Sequence, residues 1–344
     1  MLYSYQYPKA KIQRLQSFVN YIMLEVVLRA RKIPDSTFSE NLVIPKYVPF
    51  IRDINPKYIK TPLIEMYDIS KRLSPLQLKV LRKAVYENNK IEDLCKGYGT
   101  PIRYKDMKAL FAKDFEIRML NNIKLFCKNI YEKCLNLKPV YSRYGKIKDY
   151  HDAVVQRDDI CHFCGNSDLE TKFTDVRNAF DHYLAKQTYL FVSVNFKNLV
   201  PSCYNCNSLY KRKKDVLMIG QKRYKAFFPF TECGSKIIVN ISFKPHVRYS
   251  KDLNPEDFNL SCICNGHQEE TDNWMRIYDI KKRYKAKCCE RSFISSLDNY
   301  YSEIKNKKIS QEKVISLLEG NYLGDMNFLK IPFFKAAFAS LKKD

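Results

Sequence analysis

Cys161-His162-Phe163-Cys164 and Cys203-Tyr204-Asn205-Cys206 stand in one segment of this chain, and the residues between them decide the fold. A Cys-x-x-Cys turn lets two sulfurs reach one ion, and a second pair closes a tetrahedral shell. The spacing therefore predicts a structural Zn²⁺ site made of Cys161, Cys164, Cys203 and Cys206. Two β-like runs lie between the pairs: Phe180-Asp181-His182-Tyr183, and Phe196-Lys197-Asn198-Leu199-Val200-Pro201 leading into Cys203. After Cys206 comes Asn207-Ser208-Leu209-Tyr210-Lys211-Arg212-Lys213-Lys214, which reads as a basic helix. Strand, strand, helix is too little chain to bury a core of its own, so the ion would staple it.

The polar residues of this segment suggest chemistry. Adjacent residues on a strand point to opposite sides, so Asp181 and His182 suit two different jobs, Asp181 facing a metal and His182 a substrate. Asn207, at the mouth of the helix, offers a neutral oxygen to the same cation. A carboxylate with an amide oxygen, and water for the rest, suits Mg²⁺ or Mn²⁺. Lys211 follows Asn207 by one helical turn and is expected on the same face, where it would contact a phosphate; Arg212 and Lys214 extend that basic patch. His162, inside the first Cys pair, reads as an exposed turn residue.

The ordered set Cys161, Cys164, Asp181, His182, Asn198, Leu199, Cys203, Cys206, Asn207 and Lys211 resembles the HNH endonuclease family, the ββα-metal class that includes a phage recombination endonuclease. The resemblance covers roughly residues 155–215. It implies an α+β fold in which a zinc-stapled ββα-metal (HNH) core is flanked by other structure. It also implies a metal-dependent hydrolase of phosphodiester bonds: His182 as general base, Asp181 and Asn207 holding a catalytic Mg²⁺ (or Mn²⁺), and Asn198 bracing the hairpin. DNA is the expected substrate, with RNA open. A free-standing member with large unfamiliar flanks further resembles the nuclease effectors of bacterial anti-phage defence systems, which often act with an ATPase partner subunit. The alternative from another class is a zinc-containing nucleic-acid-binding or scaffold subunit that does not cleave.

Working outward, the chain has 344 residues, 45% hydrophobic and 28% charged, which excludes wholesale disorder. Sixty Lys and Arg against 37 Asp and Glu give a net charge of +23. Such a surplus favours a polyanionic partner, nucleic acid ahead of an anionic membrane surface. The best apolar run, Phe18 to Leu28, is short and interrupted by Asn20 and Glu25, so no membrane span and no export signal are expected. With 12 cysteines and nothing pointing to secretion, a reducing, cytoplasmic setting is expected. Among the other cysteines, Cys127 and Cys134 read as core, and Cys262, Cys264, Cys288 and Cys289 lack the flanking spacing of a second metal site.

Three regions follow. Residues 1–148 read as mostly helical, with helical spacing over Lys9–Lys32, a Pro-punctuated stretch from Pro34 to Pro62, a helix capped by Ser74-Pro75, and a bent or broken helix from Tyr104 to about Leu137. Residues 149–225 read as the HNH core that the resemblance implies. Residues 226–344 read as mixed strand and helix, with strand-like runs Lys236–Phe243 and Phe258–Cys264 and helices near Asn273–Lys285, Phe293–Lys305, Gln311–Leu318 and Phe328–Leu341.

Overall fold

The computed structural model describes residues 1–33, 36–156, 159–231, 237–306 and 309–341; Pro34 and Lys236 of the runs above lie outside them. The fold is mixed α+β, with helices at both ends and short antiparallel strand pairs between.

The first helical run forms, though not as one regular helix. Lys11–Arg14 is 3₁₀, Leu15–Tyr21 is α, Ile22–Val26 closes with π-type bonds, and Val27–Lys32 tightens again. Ser74 caps the helix Pro75–Asn88 as expected: its side chain accepts from Gln77 N while the Gln77 amide oxygen accepts from Ser74 N. The Tyr104–Leu137 stretch breaks into Tyr104–Lys108 and Asp114–Asn129, which continues into a π turn at Ile130–Cys134. Nearer the other end, Asp279 adopts a left-handed conformation (φ 53°) and divides the expected helix into Gln268–Tyr278 and Ile280–Cys288.

Three two-stranded antiparallel sheets are present among the described residues. Strand β1 (Phe180–His182) pairs with β2 (Leu199–Pro201), placing Asp181 opposite Val200 and His182 opposite Leu199. A small ribbon joins β3 (Met218–Ile219) to β4 (Lys222–Arg223). Strand β5 (Ile238–Phe243) pairs with β6 (Phe258–Ile263) in the register Ile238 to Ile263 through Phe243 to Phe258. The inward face of β6, Phe258, Leu260 and Cys262, alternates as its sequence requires.

One continuous core runs from Leu2 and Tyr5 through the cysteine segment to Phe328 and Phe338. The three sequence regions share it. Gly165 marks where both ends meet the middle: it sits at φ +64°, and a Cβ there would lie 2.6 Å from both Leu2 and Phe328. Only glycine fits so close an approach in that conformation.

Candidate functional site

The four sulfurs of Cys161, Cys164, Cys203 and Cys206 lie within 4.8 Å of one another, and all four residues are buried. Cys164 Sγ and Cys203 Sγ are 3.9 Å apart. A tetrahedral ion with bonds of about 2.3 Å to sulfur needs neighbouring sulfurs roughly 3.8 Å apart, so the group could hold a metal ion such as zinc. Each sulfur also accepts one N–H at 3.4 Å: Cys161 from Cys203 N, Cys203 from Cys206 N, Cys164 from Asn166 N, and Cys206 from Arg283 Nη1. Burial pushes the Cys161 and Cys206 thiols up, while hydrogen bonds from its neighbours draw Cys203 down. Donors aimed at sulfur stabilise thiolate, which is the metal-binding form.

Both ends of the chain lock this knuckle. Tyr5 stacks on His162 with ring centroids 3.9 Å apart, and His162 is buried rather than an exposed turn residue. The turn backbone turns out to be a docking point: Leu2 N donates to His162 O, Trp274 Nε1 to Phe163 O, and Tyr284 OH to Cys164 O. Among the described residues the four cysteines are the one group of three or more metal-ligating side chains.

Beside the knuckle, Asp181, His182 and Asn207 line one cleft of about 180 Å³, together with Lys186, Arg212 and Lys213. Asp181 is buried at the middle of β1; its Oδ1 accepts from Lys211 Nζ at 2.7 Å, and its Oδ2 is buried with no hydrogen-bond partner. Burial pushes its carboxyl up, and Lys211 works against that. Asp181 and Asn207 both line this cleft, and a carboxylate and an amide oxygen are donor types that a hard divalent cation takes.

His182 Nε2 lies 3.0 Å from Ser193 O. A carbonyl only accepts, so Nε2 carries the proton and Nδ1 keeps the lone pair. The imidazole meets the edge of Tyr131 at 4.4 Å, and burial, then Lys186, hold its pKa down to about 3. The ring is therefore neutral at physiological pH. Asn198, fully buried, accepts from Leu184 N at 2.7 Å and donates to Leu184 O at 2.9 Å and Val192 O at 3.3 Å. It ties together the loop that carries Ser193.

Two basic residues differ from expectation. Lys211 is not a surface phosphate contact: it is 1% exposed and its ammonium is spent on Asp181 Oδ1 and, at 2.9 Å, His182 O. The segment Asn205–Lys211 closes with π-type bonds, including Arg212 N to Asn207 O, and the same-face rule for residues four apart belongs to the α-helix. Lys214 is likewise engaged, donating to Ile277 O at 3.0 Å and Arg276 O at 3.3 Å at the end of Gln268–Tyr278. Arg212 is exposed at the rim of the cleft. Sequence reading missed Ser193, Tyr131, Lys186 and Arg283. Ser193 acts through its backbone, Lys186 follows His182 by four residues in a loop with no regular spacing, and Tyr131 and Arg283 arrive from distant positions.

Comparison with family models, with curated proteins and with solved structures finds no match to this chain.

Proposed function

We propose that this chain is an HNH-type endonuclease hydrolysing phosphodiester bonds in nucleic acid, DNA first, with Zn²⁺ structural at the four cysteines and Mg²⁺ or Mn²⁺ bound by Asp181 and Asn207. One observation carries the reading: a neutral imidazole, its tautomer set by Ser193 O, shares a cleft with an unpartnered oxygen of Asp181 and with Asn207. His182 Nδ1 holds the lone pair and so would be the atom to accept a proton from an attacking water, although burial keeps it a weak base in the free protein. Asp181 Oδ2 and the Asn207 amide oxygen would hold the divalent cation, which supplies stabilisation of charge on the phosphate and the leaving oxygen. Asn198 keeps the Ser193 carbonyl in place and so orients the base. Arg212 and Lys213 offer charge to the flanking phosphates. Four thiolates would fill a tetrahedral shell and leave no open position, so a zinc held there would have a folding role.

The rival, a zinc module that binds without cutting, draws support from Lys211, since a cation already sits on Asp181 Oδ1. Plasmid nicking separates the two. Wild-type protein with Mg²⁺ or Mn²⁺ should relax supercoiled DNA, and His182→Ala should lose at least a hundredfold of that rate. Wild-type protein as inert as His182→Ala across divalent metals would favour the binding module. A role in anti-phage defence with an ATPase partner is the biological setting we infer for the nuclease, on the strength of the sequence resemblance.

A further inference from the structure

The cleft beside Asp181 and His182 is too small to hold a polymer, but a second adjoins it. That cleft, of about 390 Å³, is walled by the helix Asp114–Asn129 and the π turn after it, and it is lined by Lys124, Lys128, Glu132 and Ser193. Lys186 and Gln187 line both clefts, so the two adjoin at these residues. Ser193, whose carbonyl orients His182, lines the larger cleft.

The charges along this path are arranged around one acid. Lys128 and Lys124 are four residues apart on one helix, a rise of about 6 Å; Lys128 is more than half exposed, and Lys124 rests over the Tyr104 ring at 4.4 Å. Lys186 crosses the Tyr131 ring at 4.6 Å. Glu132 lies between two of these cations, 2.8 Å from Lys186 Nζ and 3.7 Å from Lys128 Nζ. A carboxylate bridging two lysines in a groove that leads to a hydrolytic cleft occupies the place of a phosphate.

We propose that a nucleic-acid backbone runs through both clefts, with Arg212 and Lys213 on phosphates at one end, and Lys186, Lys128 and Lys124 of the helical N-terminal region on phosphates at the other. Glu132 holds those lysines in the free protein and yields them to the strand. The assignment of the central phosphate to Asp181 and His182 rests on the nuclease reading; the two ends of the track do not.

The test is fluorescence anisotropy with the full-length chain, a DNA duplex and an RNA duplex of one sequence, no added divalent cation, and a salt titration. Each lysine on a phosphate contributes about 0.9 to the slope of log affinity against log salt. Lys124→Gln/Lys128→Gln should therefore flatten the slope by about 2 and weaken binding at least tenfold at low salt. Lys281→Gln/Lys282→Gln, exposed on Ile280–Cys288 and equal in net charge, should change the slope by far less. Glu132→Gln should tighten binding severalfold. Whichever duplex shows these changes is the nucleic acid of the track. If the two double variants behave alike on both duplexes, the track is wrong, even if the chain cleaves DNA. If the slopes change as stated and no metal yields cleavage, the track stands and the nuclease reading fails.

Discussion

Asp181 and Lys211 are 3% and 1% exposed and 2.7 Å apart, so neither charge has water to fall back on. Breaking such a buried pair by removing one partner costs about 3–5 kcal/mol, because the survivor is left uncompensated. Lys211→Met should lower stability by about that much in urea denaturation, and Asp181→Asn/Lys211→Met should recover a large part of it. Additive losses would mean that the two side chains do not depend on each other. His151 makes a separate case. It is fully buried, and burial holds its pKa to about 4, below the ~6.5 of an exposed imidazole. As pH falls the unfolded chain takes the proton first, so this residue's stability is whole above about pH 6.5 and drains away towards pH 4. The loss is on the order of 3 kcal/mol. His182 acts in the same sense, and the contrast between wild type and His151→Leu isolates the one residue: urea midpoints between pH 7 and pH 4.5 should move less in the variant.

At the scale of elements, what could be read in the sequence was whatever is set within a few residues. The Ser74 N-cap, the β-branched run of β5, the period-2 face of β6, and the paired Cys-x-x-Cys turns are local, and each stands where the sequence put it. What could not be read was what arrives from elsewhere: Lys211 folding in beneath β1, Tyr131 on His182, and Glu132 between two lysines. The π turns explain part of this, since Ile130–Cys134 and Asn205–Lys211 flank the cleft and neither obeys α-helical face rules. Arg283 belongs with the unread residues. Held in the adjoining helix by Tyr278 O at 3.2 Å, it donates to Cys206 Sγ and offsets the negative charge of four thiolates. Arg283→Gln should weaken zinc binding 10- to 100-fold in competition with a chromophoric chelator, while about one zinc per chain should still be found by elemental analysis of wild type. Unchanged affinity would reduce Arg283 to a packing role.

For the whole molecule the question is whether the metal centre and the flanks can come apart. The contacts say that they cannot. Tyr5 donates to Pro201 O at 3.1 Å, Tyr150 to Phe196 O at 2.8 Å, and Tyr284 to Cys164 O at 2.8 Å, so β2 and the first Cys turn are held from both sides by buried tyrosines. The four-cysteine segment gains its rigidity from these neighbours, and they would in turn lose their docking points if an ion held there were to leave. The single tryptophan is well placed to report this. Trp274 belongs to the C-terminal region, yet its indole donates to Phe163 O at 2.7 Å inside the Cys161–Cys164 turn. Urea unfolding followed by Trp274 fluorescence and by far-UV circular dichroism should therefore give one shared midpoint, and both midpoints should fall together when a strong chelator strips the four-cysteine site. Two separated transitions, with tryptophan changing while the helices persist, would show that the centre opens independently and that the continuous core is weaker than its packing implies.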